Sequence, residues 1–300
     1  MSVRLHFLGT GASIPTKDRN LSSVVVRYDS ELVMFDCGEG TQKQMSIAGL
    51  SLAKKMKIFI SHMHGDHLLG LSGLMQSMAL LGREKQLDVY GPRGIMKFVD
   101  CVNDAVQFNP TFPLNVHEIR AGRVCDTRLY EIHSAWVDHV VPCLAYSFVE
   151  KPKPGKFNVK AARKLHVPEG PLWKALQIGK TVRVRGRMIR PRLVVGPPKP
   201  GCKIVYATDT RPCDETVRLA SKADILIHDS SFDSSLEEKA SLDGHSTAAQ
   251  AARIAKKAKA RKLILTHISA RYRNPAVLLR ESRKIFPKTA VASDLMTIDL

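Results

Sequence analysis

Residues 60–70 read ISHMHGDHLLG. Three histidines and one aspartate fill positions 62–67 between two apolar runs, where a buried strand or helix would exclude polar groups. The preceding KIFISH, residues 57–62, reads as a strand. His62 and His64 stand two residues apart, so an extended backbone turns both imidazoles the same way. A turn at Gly65 then brings Asp66 and His67 to a neighbouring point. That arrangement suits two adjacent metal ions better than one. Imidazole nitrogen and carboxylate oxygen without thiolate fit Zn²⁺, with Mn²⁺ or Fe²⁺ as substitutes. Surface histidines in a loop would be the plain alternative, but four ligand side chains in H-x-H-x-D-H spacing argue against it.

A dinuclear site needs further ligands, and two other apolar runs close on one. KIVYATD ends in Asp209 and KLILTH in His267, in the same form as KIFISH. Ligands gathered at the carboxyl ends of strands are what open α/β sheets commonly show. Around them, VRLHFLGT, SSVVVRY, ELVMFDCG and ADILIHD read as further strands. HLLGLSGLMQSMALL, PRGIMKFVDCVNDAV and STAAQAARIAKKAKA read as helices, the last with Ser246 or Thr247 as its cap. The sequence thus predicts a layered α/β plan with no repeats.

The chain has 300 residues, 44% of them hydrophobic, enough for a sizeable core. No stretch approaches the roughly 20 apolar residues of a membrane span, and the amino terminus lacks the order of a signal peptide. The six cysteines, Cys37, Cys101, Cys125, Cys143, Cys202 and Cys213, form no C-x-x-C pair. They read as reduced thiols rather than a disulfide framework. These features point to a cytoplasmic protein without a membrane partner. The net charge of +18 points to a polyanionic partner, against the bland alternative of solubility alone. Most of it is local: residues 151–200 hold fourteen Lys and Arg against one acid, Glu169. Pro and Gly at both ends of this stretch mark an insertion into a scaffold. Within it VKAARKLH reads as a short helix and TVRVRGRMIR as a strand.

The motifs carry a resemblance. H-x-H-x-D-H after a strand is the signature of the metallo-β-lactamase fold. With FLGTGASIPT, DCGEGTQ, GHST, LTHISARY, ASDLMTIDL and the insertion's VPEGPLWKALQIGKTV, the chain resembles the ribonuclease Z family, tRNA 3′-processing endonucleases, over nearly its whole length. The resemblance implies one αββα sandwich over residues 1–300, two mixed β-sheets flanked by helices, with residues 151–200 as an inserted basic arm. It implies two zinc ions per subunit: His62, His64 and His139 on one, Asp66, His67 and His267 on the other, and Asp209 bridging them. His133 in EIHSAW competes with His139 for its place. His6, His117, His166 and His228 match no ligand motif.

Further roles follow from the same resemblance. Asp66 is the expected general base. His245 in GHST is expected to protonate or stabilise the leaving 3′-oxygen, against a plain helix-capping neighbour. Asp229 in IHDSS would orient His245, although the related motif usually has Glu there. Gly9 and Gly11 form an incomplete G-x-G-x-x-G fingerprint and read as turn residues, so no nucleotide cofactor is expected. In the family an arm of this type grips the tRNA elbow, usually that of the partner subunit in a homodimer. Lys151, Lys153, Lys156, Lys160, Arg163 and Lys164 are the arm's candidate RNA contacts. Phe157 and Trp173 are its only aromatics, too few for a single-strand stacking platform. The expected function is removal of the 3′ trailer from precursor tRNA. The alternatives are a metal-dependent phosphodiesterase or lactonase for small molecules, and a non-catalytic RNA-binding module.

Overall fold

In the computed structural model, residues 3–300 are described. Six strands open the first sheet: β1 (Val3–Gly9), β2 (Ser23–Tyr28), β3 (Glu31–Phe35), β4 (Lys55–Phe59), β5 (Leu87–Gly91) and β6 (Leu114–Glu118). The chain then crosses to a second sheet with β7 (Gly122–Asp126), β8 (Tyr130–Val137) and β9 (Cys143–Glu150). After a hairpin of β10 (Val182–Val184) and β11 (Arg187–Ile189), it adds β12 (Lys203–Ala207), β13 (Ile225–Asp229), β14 (Leu263–Thr266) and β15 (Thr289–Val291). Strand β16 (Thr297–Asp299) returns to pair with β1. Strand orders are β16-β1-β2-β3-β4-β5-β6 and β15-β14-β13-β12-β9-β8-β7. Strands β3 to β6 run parallel, as do β12 to β15, while β1 to β3 are antiparallel. Both sheets are therefore mixed.

Period-two alternation separates the two faces of each strand. In β3 and β4, Leu32, Met34, Met56 and Ile58 join the cluster that meets the helices. Helix Gly70–Leu80 supplies Leu71, Leu74, Met75 and Met78, an i, i+3, i+4, i+7 stripe that is wholly buried. Burying each such side chain contributes about 1.5–3 kcal/mol. The opposite face carries aromatics. Phe35 stacks on Tyr146 at 5.8 Å and on Tyr206 at 5.6 Å, which joins β3 to the second sheet. Tyr206 also donates to Asp36 (2.8 Å) and Tyr146 to the Ile60 carbonyl (2.6 Å). The two sheets thus face each other across an aromatic layer with helices outside, the αββα sandwich of the metallo-β-lactamase fold.

Against the second sheet lies helix Ala248–Lys257, whose Ala248, Ala249, Ala251, Ala252 and Ala255 are buried. Small side chains let this helix lie close on the strands. Thr247, rather than Ser246, is its cap: Thr247 accepts from the Gln250 amide and the Gln250 side chain accepts from the Thr247 amide, a complete capping box. Thr247→Ala is expected to lower unfolding stability by about 1 kcal/mol, read from denaturant melts. A decrease of less than a few tenths would mean the cap contributes little.

A second compact unit comprises Thr127–Tyr130 and Val149–Cys202. It has a core of its own in Ala162, Val167, Leu176, Val182, Val184, Ile189 and Val194. VKAARKLH contains helix Val159–Lys164, capped by the Asn158 side chain. TVRVRGRMIR is not one strand but the hairpin β10–β11. Arg185 (φ 48°) and Gly186 (φ 77°) form its two-residue turn, and positive φ at both central positions is what closes a tight hairpin. Helix Pro171–Gln177 was not evident in the sequence pattern. Phe157 and Trp173 pack together at 5.1 Å, and the Trp173 indole donates to the Val167 carbonyl, so both serve this core.

Candidate metal centre and active site

The candidate ligands stand beyond the carboxyl ends of parallel strands. His62 follows β4, and His64, Asp66 and His67 lie in or beside the single helical turn Gly65–Leu68. Asp209 follows β12, His267 follows β14, and His139 comes from the β8–β9 loop. Asp36 (φ 57°), Asp209 (φ 48°) and His267 (φ 58°) all take left-handed backbone where their strands end. Each such non-glycine residue costs roughly 1–3 kcal/mol, a strain characteristic of functional sites. The turn at residue 65 is held by two glycines. A Cβ on Gly70 would sit 2.0 Å from the Gly38 carbonyl oxygen, and one on Gly38 2.5 Å from that of Asp66.

Two groups result. In the first, His62 Nε2 is 3.0 Å from His64 Nδ1, and His139 Nε2 is 3.4 Å from the same atom. Asp209 Oδ2 lies 3.6 Å from His62 Nε2 and 3.9 Å from His139 Nε2. In the second, Asp209 Oδ1 is 3.3 Å from both His67 Nε2 and His267 Nε2. Asp66 Oδ2 is 3.3 Å from His67 Nε2 and 3.4 Å from His267 Nε2. Asp209 therefore turns one oxygen to each group. Atoms about 2.1 Å from a common tetrahedral centre stand about 3.4 Å apart, which is the spacing both groups present.

The far side of each ring fixes which nitrogen faces inward. His67 Nδ1 donates to Asp36 Oδ2 (2.7 Å) and His139 Nδ1 to the Gly244 carbonyl (2.8 Å). The Ser61 hydroxyl donates to Asp36 Oδ2 (2.8 Å), so it accepts from His62 Nδ1 (2.9 Å). The Ser231 hydroxyl likewise donates to Asp229 Oδ1 (2.8 Å) and accepts from His267 Nδ1 (3.0 Å). The Nε2 atoms of His62, His67, His139 and His267 are thereby the ones turned inward, where each can coordinate a cation. The donor set fits divalent metal ions. Gly244 matters here because its φ is 83° and a Cβ would lie 2.5 Å from His139 Nδ1.

Charge in the site follows the same plan. Burial pushes His267 down, yet Asp209, Asp229 and Asp66 outweigh it and lift its pKa to about 10. His67 is raised in the same way by Asp209 and Asp36. Burial would raise Asp66 and Asp209, but the facing imidazoles hold both well below the usual carboxylate range. Burial dominates at His62 and His139 and lowers both, reinforced at His62 by the neighbouring His67. The carboxylates are thus held ionised, while His67 and His267 would release a proton on taking a metal, since a ligating imidazole is neutral.

Beside the two groups, His245 Nδ1 lies 2.9 Å from Asp229 Oδ2. Asp229 is buried and accepts from the Thr210, Ser231 and Ser246 amides as well. Burial lowers His245, but Asp229 outweighs it and the net direction is up. Its ring centre is 5.3 Å from that of His139 and 5.2 Å from that of His267. The shorter Asp229 reaches His245 without help. Gly11 and Ala12 run beside Ile268, and the Ser13 amide donates to Asp66 Oδ2 (2.9 Å), so the glycine-rich stretch is a turn against the site.

The remaining histidines lie elsewhere. His133 pairs with Glu131 at 2.9 Å and joins neither group. His117 stacks on Tyr90, His228 bonds the Asp229 carbonyl, His6 is buried in β1, and His166 is exposed with φ 52°. Asp36 was missed by sequence reasoning as a site residue. It accepts from the Ser61 amide and hydroxyl, His67 and Tyr206, and so sets two imidazoles at once. Its signal was the acid closing ELVMFD, the same run-then-ligand form as KIFISH.

In the second unit, Lys156, Lys160, Arg163 and Lys164 are exposed and Lys151 is partly so. Arg163 stands 3.8 Å from Glu169, and Lys153 2.5 Å from Glu150.

Comparison with known proteins places this geometry. Over 298 residues the chain is 46% identical to ribonuclease Z of Methanothermobacter thermautotrophicus, covering 99% of itself and 97% of that protein. The chain belongs to the ribonuclease Z family. The family's enzyme from Methanosarcina acetivorans is 42% identical, over 99% of this chain and 98% of that one. Among solved structures, human tRNase Z, short form, superposes with a TM-score of 0.73 at 28% identity, covering 98% of each chain. Residues 180–268 match the family model of the beta-lactamase superfamily domain, and residues 3–100 that of the anti-Pycsar protein Apyc1. Members of the ribonuclease Z family are metal-dependent hydrolases, and among the described residues no helix is long and apolar enough to cross a membrane.

Proposed function

We propose that the protein is a zinc-dependent endoribonuclease that removes the 3′ trailer from precursor tRNA, leaving a 3′-hydroxyl on the tRNA and a 5′-phosphate on the trailer. The observation that carries this is Asp209, which offers one oxygen to each of two ligand groups beside the His245–Asp229 pair. Two divalent ions bound there would supply a nucleophile at neutral pH and neutralise the scissile phosphate. His62, His64 and His139 would hold one ion, and Asp66, His67 and His267 the other. Asp66, ionised by its surroundings, accepts the proton of the attacking water. His245, kept protonated by Asp229, donates to the leaving 3′-oxygen. Asp36 and Ser231 keep the imidazoles in the tautomer that offers Nε2.

The basic unit at residues 151–200 serves as the tRNA grip. Its contacts go through Lys151, Lys153, Lys156, Lys160, Arg163 and Lys164, and the enzyme works as a homodimer. A-form RNA is recognised largely through its backbone and 2′-hydroxyls, which exposed lysine and arginine suit. The test is a 3′-extended tRNA precursor incubated with purified protein and Zn²⁺ or Mn²⁺. A single cut at the end of the tRNA body with the stated termini is expected, and inverted termini or cuts scattered through the body would overturn the reading.

The metal count is tested separately. Elemental analysis of active protein is expected to give about two metals per chain, because seven ligand side chains exceed what one tetrahedral ion takes. A reproducible value near one in fully active enzyme would refute the bridging role of Asp209.

A further inference from the structure

The segments that carry His62, His64 and His139 also contribute to a cavity of about 430 Å³ whose lining includes Met63, Pro92, Arg93, Arg120, Trp136 and Pro142. Met63 sits between His62 and His64 in the chain, and Pro142 is three residues past His139, so two segments of the lining lead directly into ligands of the first group. Met63, Pro92, Ile119, Trp136, Val141 and Pro142 give it a largely apolar wall. Trp136 is 37% exposed, and no hydrogen bond or ring partner is found for its indole among the described residues. Arg93 and Arg120 are exposed, and neither guanidinium has an ion pair or side-chain hydrogen bond among the described residues. The one carboxylate of the rim, Glu118, accepts from the Gly94 amide at 2.7 Å, which keeps it occupied. The pocket therefore combines a free aromatic face, an apolar floor and two unpaired cations, none of which the metal chemistry uses.

We infer that this pocket takes one nucleobase of the RNA next to the scissile phosphate, stacked on Trp136, with Arg93 and Arg120 on the adjoining phosphates. The inference rests on the endonuclease reading of the same site. A flat heterocycle and its phosphates match an indole flanked by guanidinium groups, and base stacking on an aromatic tolerates any sequence. An apolar metabolite would leave both arginines without a role. The arm, gripping the body of the tRNA, cannot set the position of the cut to the nucleotide, whereas a base seated beside the metals does so.

The test is a cycle of protein and substrate changes. Precursor tRNAs carrying an abasic site on either side of the cut are compared with the intact precursor, using the wild type, Trp136→Ala and Trp136→Phe. Metal content and melting temperature of the variants are measured alongside. For the intact precursor, Trp136→Ala is expected to lower kcat/KM about tenfold or more, with Trp136→Phe restoring most of it. One of the two abasic precursors should be cut as much more slowly by the wild type, and Trp136→Ala should cause no further decrease on it. Full activity of Trp136→Ala, or decreases that simply multiply at both abasic positions, would overturn the pocket. Failure of the wild type to cut the intact precursor would instead refute the endonuclease reading, so the two failures are told apart.

Discussion

Asp66→Ala is expected to lower cleavage of precursor tRNA by about 10²–10⁴-fold, the range general-base removal commands. The geometry makes Asp66 the natural candidate. Its Oδ2 stands within 3.4 Å of two inward-facing imidazole nitrogens and accepts from the Ser13 amide, so the carboxylate is pinned at the edge of the second ligand group. His67 and His267 hold it ionised, so its proton-accepting oxygen is free of a proton of its own. Affinity for the precursor should change little, since the proposed grip lies in another unit of the chain. A fall confined to kcat marks an interaction made in the transition state. Adding excess Mn²⁺ separates the two duties of Asp66. Rescue to near wild-type turnover would reduce it to a metal ligand, and turnover within a few-fold of wild type without rescue would remove it from the mechanism.

What the sequence disclosed and what it hid follow from how local each signal is. His62, His64, Asp66 and His67 share one strand and one turn, so their convergence is a matter of backbone geometry and could be read directly. Asp209 and His267 repeated the form of an apolar run closed by a ligand, and the parallel pairing of β12, β13 and β14 carries them to one edge. His139 and the role of Asp229 came only from the family resemblance: the β8–β9 loop leaves no periodic trace, and Asp229, though it closes the strand β13, shows its partner His245 only in the fold. Asp36 shows the limit most plainly. It touches no candidate metal position, and its importance lies in four donors from Ser61 just past β4, the turn at residue 67 and β12 that only the folded chain assembles. In the second unit the strand pattern of TVRVRGRMIR concealed a reversal, since Arg185 is an unusual residue at positive φ and only Gly186 signalled a turn.

Excising the second unit is expected to weaken precursor tRNA binding by about two orders of magnitude at moderate salt and to flatten its salt dependence, by about one unit of slope for every phosphate that is no longer neutralised. The fold supplies the cut points. The Glu150 amide donates to the Cys202 carbonyl at 2.9 Å, so the chain leaves and returns at one place and a short glycine-serine turn can close the gap. All seven candidate ligands, with Asp36, Asp229 and His245, belong to the other unit, so elemental analysis of the shortened protein should still find about two metals. A small phosphodiester that occupies only the metal pair should then be hydrolysed at close to the intact protein's rate, while precursor cleavage at low RNA concentration collapses. Fourteen basic residues against one acid make this the steepest charge contrast in the chain, and counterion release gives it a measurable signature. Disappearance of both activities with the metals still bound would mean that residues 151–200 help to build the active site. Unchanged precursor cleavage would mean that their charge only solvates the surface.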